Sequence, residues 1–152
     1  MPVYVVNVTA GKFSPIQKQA IAKAITKAHH ELTGTHGFLA QVIFNEQETG
    51  NVFLNGVAQD APGIFIHGLN RAGRPAELKS KLILRLVDDI AAAVSIAPRY
   101  IWIYIDEMPP AQMVEYGHVL PEPGGEAEWL KSLPEDERRH MDNIERASRQ
   151  GS

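Results

Sequence analysis

The sequence predicts an α+β fold in which two β-α-β units join into one four-stranded sheet with two helices on one face. Three observations predict it. Short β-branched runs alternate with stretches of helical periodicity. The strand–helix–strand pattern occurs twice, at an offset of about 60 residues, which marks two copies of one element and not a solenoid. Each crossover is expected to be right-handed, so a pseudo-twofold relation between the units puts both helices on the same side.

Val3 to Val8 is apolar and β-branched, ends at Thr9-Ala10-Gly11, and reads as the first strand. Ser14-Pro15 reads as an N-cap followed by proline at the first helical position. Ile21, Ile25, Ala28 and Leu32 follow at helical spacing, and Gly34 supplies the stop. Ala40 to Phe44 is the second strand, and the turn-rich stretch Glu48–Asn55 is expected to form a hairpin or short edge strand. In the second unit Ile64 to Leu69 is a strand, and Arg74-Pro75 opens a helix with Leu78, Leu82, Leu86, Ile90 and Val94 along one stripe. Ile101 to Ile105 is the fourth strand. Residues 106–133 are rich in proline and glycine and are expected to be mostly irregular. Pro134 to about Arg146 reads as a short, charged helix with a weak apolar face and a frayed end.

The 152 residues suit one core. The chain is read as a single domain, with the first unit over 2–60, the second over 61–125 and a tail over 126–152. A formal net charge of −3 provides no field to recruit nucleic acid or an anionic membrane. No apolar run approaches the roughly 20 residues of a membrane span. The N-terminal stretch lacks the basic segment of a secretory signal. With no cysteine, thiol catalysis, disulfides and cysteine-ligated metal are excluded, and a cytoplasmic location is expected. The strands also bear on assembly. Val3 and Val5 lie on one face of the first strand, and Tyr4, Val6 and Val8 on the other; Ile101–Ile105 is apolar on both faces as well. Such strands are buried on both sides. Two helices cover one side only, so another subunit is expected on the other, the alternative being the charged tail.

Few residues carry chemistry. Loss of Met1 would leave Pro2 as a free secondary amine at the start of a strand. An α-amino group titrates near about 8 and serves as general acid or base around neutrality. Arg71 and Arg74 sit three apart where a strand ends, the chain turns on Gly73 and a helix begins. A helix N-terminus is positive, so arginines there suit a bound anion such as a carboxylate, or else face water. Tyr104 lies in an apolar strand, where a tyrosine is usually core with its hydroxyl paired. Glu115, among Met113, Val114 and Tyr116, is either a general base or a solvated carboxylate. His29 falls at the edge of the first helix's apolar stripe, near its C-terminal end, which favours a histidine in any case. The histidines at 36, 67, 118 and 140 show no metal-ligand spacing, and there is no phosphate loop or nucleophile elbow.

Several stretches together resemble the tautomerase superfamily, and within it the cis-3-chloroacrylic acid dehalogenase family. They are the start Pro2-Val3-Tyr4, AKAITKAH at 22–29, TGT at 33–35, FLAQV at 38–42, GNVFL at 50–54, the Arg71/Arg74 turn, and EMPPAQMVEYGHVLPEPG at 107–124. The resemblance runs from Pro2 to about Trp129. It implies a tautomerase (MIF-like) fold, a homotrimer, and neither metal nor organic cofactor. By position, Pro2 corresponds to the family's catalytic amine. His29, Arg71 and Arg74 correspond to the groups that hold the substrate carboxylate, and Tyr104 and Glu115 to those that activate water. The implied activity is hydration and dehalogenation of cis-3-haloacrylate-type acids to malonate semialdehyde. Two other readings stand beside it: a keto–enol tautomerase or hydratase of another small acid, and a non-catalytic binding protein on the same scaffold. Departures from the family are expected in pocket walls such as Phe38 to Ala40 or the loop Asn55–Pro62.

Overall fold

The computed structural model describes residues 2–150. The first strand, β1 (Val3–Thr9), leads into helix α1 (Pro15–Thr33) and strand β2 (Gln41–Gln47). A small hairpin of β3 (Phe53–Leu54) and β4 (Val57–Ala58) follows. The second unit repeats the order with β5 (Ile64–Arg71), α2 (Ala76–Val94), β6 (Ile101–Met108) and a hairpin of β7 (Val114–Glu115) and β8 (His118–Val119). Helices α3 (Glu126–Ser132) and α4 (Glu135–Gln150) close the chain.

The sheet order is β2-β1-β5-β6, with both units parallel inside and joined antiparallel through β1 and β5. The repeat is close. Pro15 and Ala76 open the helices 61 positions apart, and the 3₁₀ turns at Gly37 and Pro98 and the hairpins at Phe53 and Val114 keep the same spacing. Tyr4, Val6 and Val8 of β1 and Ile64 and Ile66 of β5 form one core with Ile21, Ile25 and Ala28 of α1 and Leu82, Leu86 and Ile90 of α2. The helix start is built as its sequence dictates. Ser14 and Gln17 form a capping box, Pro15 follows, and Gly34 ends α1 in the left-handed conformation.

The opposite sheet face stays open in the single chain. Phe65, Trp102 and Tyr104 are 38%, 47% and 59% exposed there, so the C-terminal tail leaves these aromatic groups bare. That tail is better organised than its composition suggests. Residues 106–133 are not mostly irregular: β6 runs on to Met108, a hairpin follows, and α3 begins at Glu126. Tyr116 and Gly117 both take positive φ, 52° and 79°, the geometry of a two-residue type I′ turn. Asn55-Gly56 makes the same turn in the first unit at 49° and 76°. Helix α4 extends to Gln150 and does not stop near Arg146, and Leu133 and Met141 are buried and anchor it.

Candidate active site

The polar groups of the core gather at one end of the sheet, where β1 and β2 begin and β5 and β6 finish. Strand alternation puts Tyr4 on the helix side of β1 beside Val6 and Val8, so its hydroxyl must find a partner inside. It lies 2.8 Å from Nδ1 of His29, which the α1 stripe brings to the same place. Asn70, near the end of β5, is close enough to the Tyr4 hydroxyl to lower its proton affinity. Tyr4, His29 and Asn70 are all nearly inaccessible. Burial, and then the nearby Arg74 charge, push His29 down to about 3, so the imidazole is neutral. Burial pushes the Tyr4 phenol up to about 12, against the opposing pull of Asn70 and Arg74. Nε2 of His29 and Oδ1 of Asn70 are buried with no hydrogen-bond partner among the described residues.

Arg71 and Arg74 reach this cluster from the turn between β5 and α2, but they are not equivalent. Arg74 donates to the Arg71 carbonyl at 3.2 Å and to the Thr35 hydroxyl at 3.1 Å. Burial and the adjacent Arg71 charge lower its affinity for its proton. Arg71 is 2% exposed, and both its terminal nitrogens are engaged, one by the Pro121 carbonyl at 2.6 Å and one by the Glu126 carboxylate. Its Nε is buried without a partner among the described residues. Burial alone would raise the Glu126 carboxyl, but the Arg71 hydrogen bond and charge and the Gly124 amide outweigh it and hold the group below its ordinary value. The sequence placed Glu126 in a tail and gave no sign that it would meet Arg71.

Pro2 is buried at the mouth of the sheet, and its carbonyl accepts the Gln41 amide at 3.0 Å. Its amine depends on Met1, which lies outside the described residues. The next residue, Val3, lines a cavity of about 630 Å³ together with Leu69, Phe38, Ala40, Met113 and Glu115. Phe38 to Ala40 are thus pocket walls, whereas Gln59 and Ala61 of the 55–62 loop line a second cavity of about 480 Å³ at the far end of the sheet. Glu115 is held by the β7–β8 turn, where Tyr116 takes a backbone conformation that costs a bulky residue energy. Its phenol compensates by donating to the Phe38 carbonyl at 2.5 Å, tying the hairpin to the cavity wall. Tyr104 stands apart. It lies on the open sheet face, packed edge-on against Phe65, and does not line the cavity of its own chain. The structure therefore brings His29, Arg71 and Arg74 together, sets Glu115 on a cavity wall that also carries Val3, the neighbour of Pro2, and leaves Tyr104 on the open face. Among the described residues no group of three or more His, Asp or Glu side chains is placed to hold a metal ion.

The family model described as putative oxalocrotonate tautomerase enzyme matches residues 1–133. A crystal structure of N1, a member of the cis-3-chloroacrylic acid dehalogenase family, superposes with a TM-score of 0.88 at 32% identity, over 93% of this chain and 99% of that one. The chain belongs to the tautomerase superfamily, in its cis-3-chloroacrylic acid dehalogenase family. A fused 4-OT symmetric trimer (TM-score 0.70, 22% identity, 81% of this chain and 98% of that one) shares the fold. So does an FG41 malonate semialdehyde decarboxylase inhibited by 3-bromopropiolate (0.68, 20%, 87% and 99%). No curated protein matches. The family resemblance carried by Pro2, the 22–29 helix and the 107–124 segment is therefore correct, as is the α+β tautomerase fold. Sequence reasoning missed Tyr4, Asn70 and Glu126. The available signal for Tyr4 was its polar tip on the core face of β1. Asn70 and Glu126 gave none, because their partners are distant in sequence.

Proposed function

We propose that this tautomerase-superfamily protein is a cofactor-independent dehalogenase and hydratase of cis-3-haloacrylate-type acids, with malonate semialdehyde as product. The observation that supports it most is the set of buried, unpartnered polar atoms of His29, Asn70 and Arg71 near Arg74, at the same end of the sheet as the cavity that Glu115 lines. Arg74, with His29 and the free Nε of Arg71, binds the carboxylate and stabilises the charge that grows on it when water adds to C3. Glu115 takes a proton from that water. Pro2, once Met1 is removed, protonates C2. The C3 halohydrin then loses halide and a proton as its C–O bond becomes a carbonyl.

Tyr104 enters this scheme only from another copy, because its own chain holds it on the open face. The exposed Phe65, Trp102 and Tyr104 suit an obligate interface, which typically buries over about 2,000 Å². The assembly we propose is a homotrimer, the state named for the fused 4-OT structure. The absence of cysteine suits the cytoplasm. Light scattering at micromolar concentration is expected to give the trimer mass, and a monomer mass would overturn this part of the reading. The match to a family model described as putative oxalocrotonate tautomerase favours a second activity: keto–enol tautomerisation of an enol acid by Pro2 acting as base. Turnover of cis-3-chloroacrylate and phenylenolpyruvate by the native protein and Pro2→Ala, with the intact mass of each, tests both readings. Dehalogenation is expected from the native protein starting at Pro2 and is expected to collapse in the variant. Tautomerisation without dehalogenation would leave only the second reading.

A further inference from the structure

We infer that Glu126 is a specificity-determining residue: by neutralising Arg71 it leaves Arg74 as the one uncompensated cation of the arginine pair, so the site selects acids with a single carboxylate over dicarboxylates. The inference rests on the reading of Arg71 and Arg74 as carboxylate-binding groups. The Glu126 carboxylate meets one terminal nitrogen of Arg71, and the Pro121 carbonyl takes the other at 2.6 Å. The hydrogen bonds that Arg74 donates go to neutral oxygens, the Arg71 carbonyl and the Thr35 hydroxyl. Among the described residues no carboxylate pairs with it. Glu107, whose charge also reaches Arg74, is itself paired with Lys79 at 2.8 Å. The two arginines therefore offer a ligand one net positive charge and not two.

The pairing is built into the fold. The second Glu126 oxygen accepts the Gly124 amide at 2.8 Å, which fixes the carboxylate at the start of α3. The Trp129 indole donates to the Val119 carbonyl at 2.9 Å, and its ring packs on the cluster of Leu39, Met113 and Leu120, so α3 is anchored to the β7–β8 hairpin. The arginine turn meets the same segment, since a Cβ at Gly73 would fall 3.0 Å from the Pro123 ring. Burial opposes ionisation of Glu126, but the Arg71 hydrogen bond and charge outweigh it, so the group is charged at neutral pH. A fixed charge acts on a ligand in proportion to the ligand's own charge, so Glu126 disfavours a dianion by about twice the free energy it costs a monoanion. In affinity that is a squared factor.

Titration calorimetry with isocrotonate and maleate at pH 8 tests this. Both are cis four-carbon acids, with one and two ionised carboxylates, and binding is read without turnover. Wild type is expected to bind isocrotonate more tightly. Glu126→Gln is expected to tighten isocrotonate roughly tenfold and maleate by about the square of that factor. Glu126→Asp keeps the charge and is expected to keep the wild-type preference. Tighter binding of maleate by wild type, an equal change for both acids in Glu126→Gln, weaker binding of both in it, or a reversed preference in Glu126→Asp would overturn the inference. The wild-type and Glu126→Asp arms decide it even where Glu126→Gln does not fold. Arg74→Ala reports on the site itself and is expected to abolish binding of both acids. Binding unmoved by Arg74→Ala, or absent from wild type, would refute the anion site. Binding lost in Arg74→Ala with an unchanged preference in Glu126→Gln would refute the role of Glu126 alone.

Discussion

The two ends of the sheet have the same architecture and opposite chemistry. At a spacing of 61 positions, His29 corresponds to Ile90, Arg74 to Phe13, Glu115 to Leu54 and Tyr104 to Ile43. The strand at the far end begins at Ile64, within the chain, so no terminal amine exists there. Both ends carry a hairpin with a type I′ turn and a cavity beside it. The far end shows that this scaffold packs well with Ile90 and Phe13 in the core. Its counterpart holds a buried histidine, a buried arginine and the half-buried Arg74, some polar atoms of the first two without partners, at a desolvation cost of about 1–3 kcal/mol each. Polar groups buried at one end only, where the matching end packs with apolar ones, are what single this end out as the candidate site.

The comparison is sharpest at the hairpins. Glu115→Gln keeps the shape and removes the base, so hydration and dehalogenation are expected to fall roughly two to four decades in kcat/KM, while enol tautomerisation falls much less. Leu54→Ala at the matching far position is expected to change neither. Equal loss of both reactions in Glu115→Gln would show that the carboxylate tunes Pro2 and does not activate water. Next in size is Arg74→Ala. Loss of a charge-assisted contact of about 2–3 kcal/mol is expected to lower kcat/KM for any carboxylate substrate by one and a half to two decades. Unchanged kinetics would leave Arg74 as a tie between the β5–α2 turn and Thr35.

Glu126 belongs only to the candidate-site end, since among the described residues the far end has no equivalent of α3. Glu126→Gln is expected to destabilise the fold by roughly 1–3 kcal/mol at pH 7, read by urea unfolding, because Arg71 stays buried with a weaker partner. The folded carboxyl lies below its ordinary 4.5. Its stabilising contribution is therefore complete above that value and is lost as pH falls through the lower folded value. The gap between wild type and variant should narrow along that descent; a gap independent of pH would argue against the ion pair as its source. The smallest effect at pH 7 is expected from converting the cluster to its far-end form. Tyr4→Phe with His29→Ile removes both partners of one buried hydrogen bond, which is close to neutral or stabilising. Its pH dependence differs, however. Wild type is expected to lose stability as pH falls from 6.5 towards about 3, because the unfolded histidine takes a proton that the buried one refuses. The double variant lacks that loss, and thermal melts across this range would show it. Parallel melting curves would mean that His29 is not held neutral.

Much of the fold could be read from residues near one another in sequence. The capping box at Ser14, the proline after it, the stop at Gly34 and the stripe from Leu82 to Val94 are local signals and appear where expected. The second hairpin was hidden because its turn is Tyr116-Gly117, where a tyrosine takes positive φ while its hydroxyl donates to Phe38, a residue of the other unit. The tail was misjudged for the same reason. Leu133 and Met141 look isolated among charges until the fold supplies the surfaces that bury them.

By itself the sequence determined the two units, their repeat, the family and the candidate set of Pro2, His29, Arg71, Arg74, Tyr104 and Glu115. Periodicity, caps and motifs are properties of a short stretch of chain, and they survive without knowledge of what packs against it. Tertiary structure decided which of these groups act in the same space. It coupled Arg71 to Glu126, paired Tyr4 with His29, and put Tyr104 on the open face. Those outcomes depend on burial and on charge. Both are set by residues that meet only when strands and helices from both units close over one another.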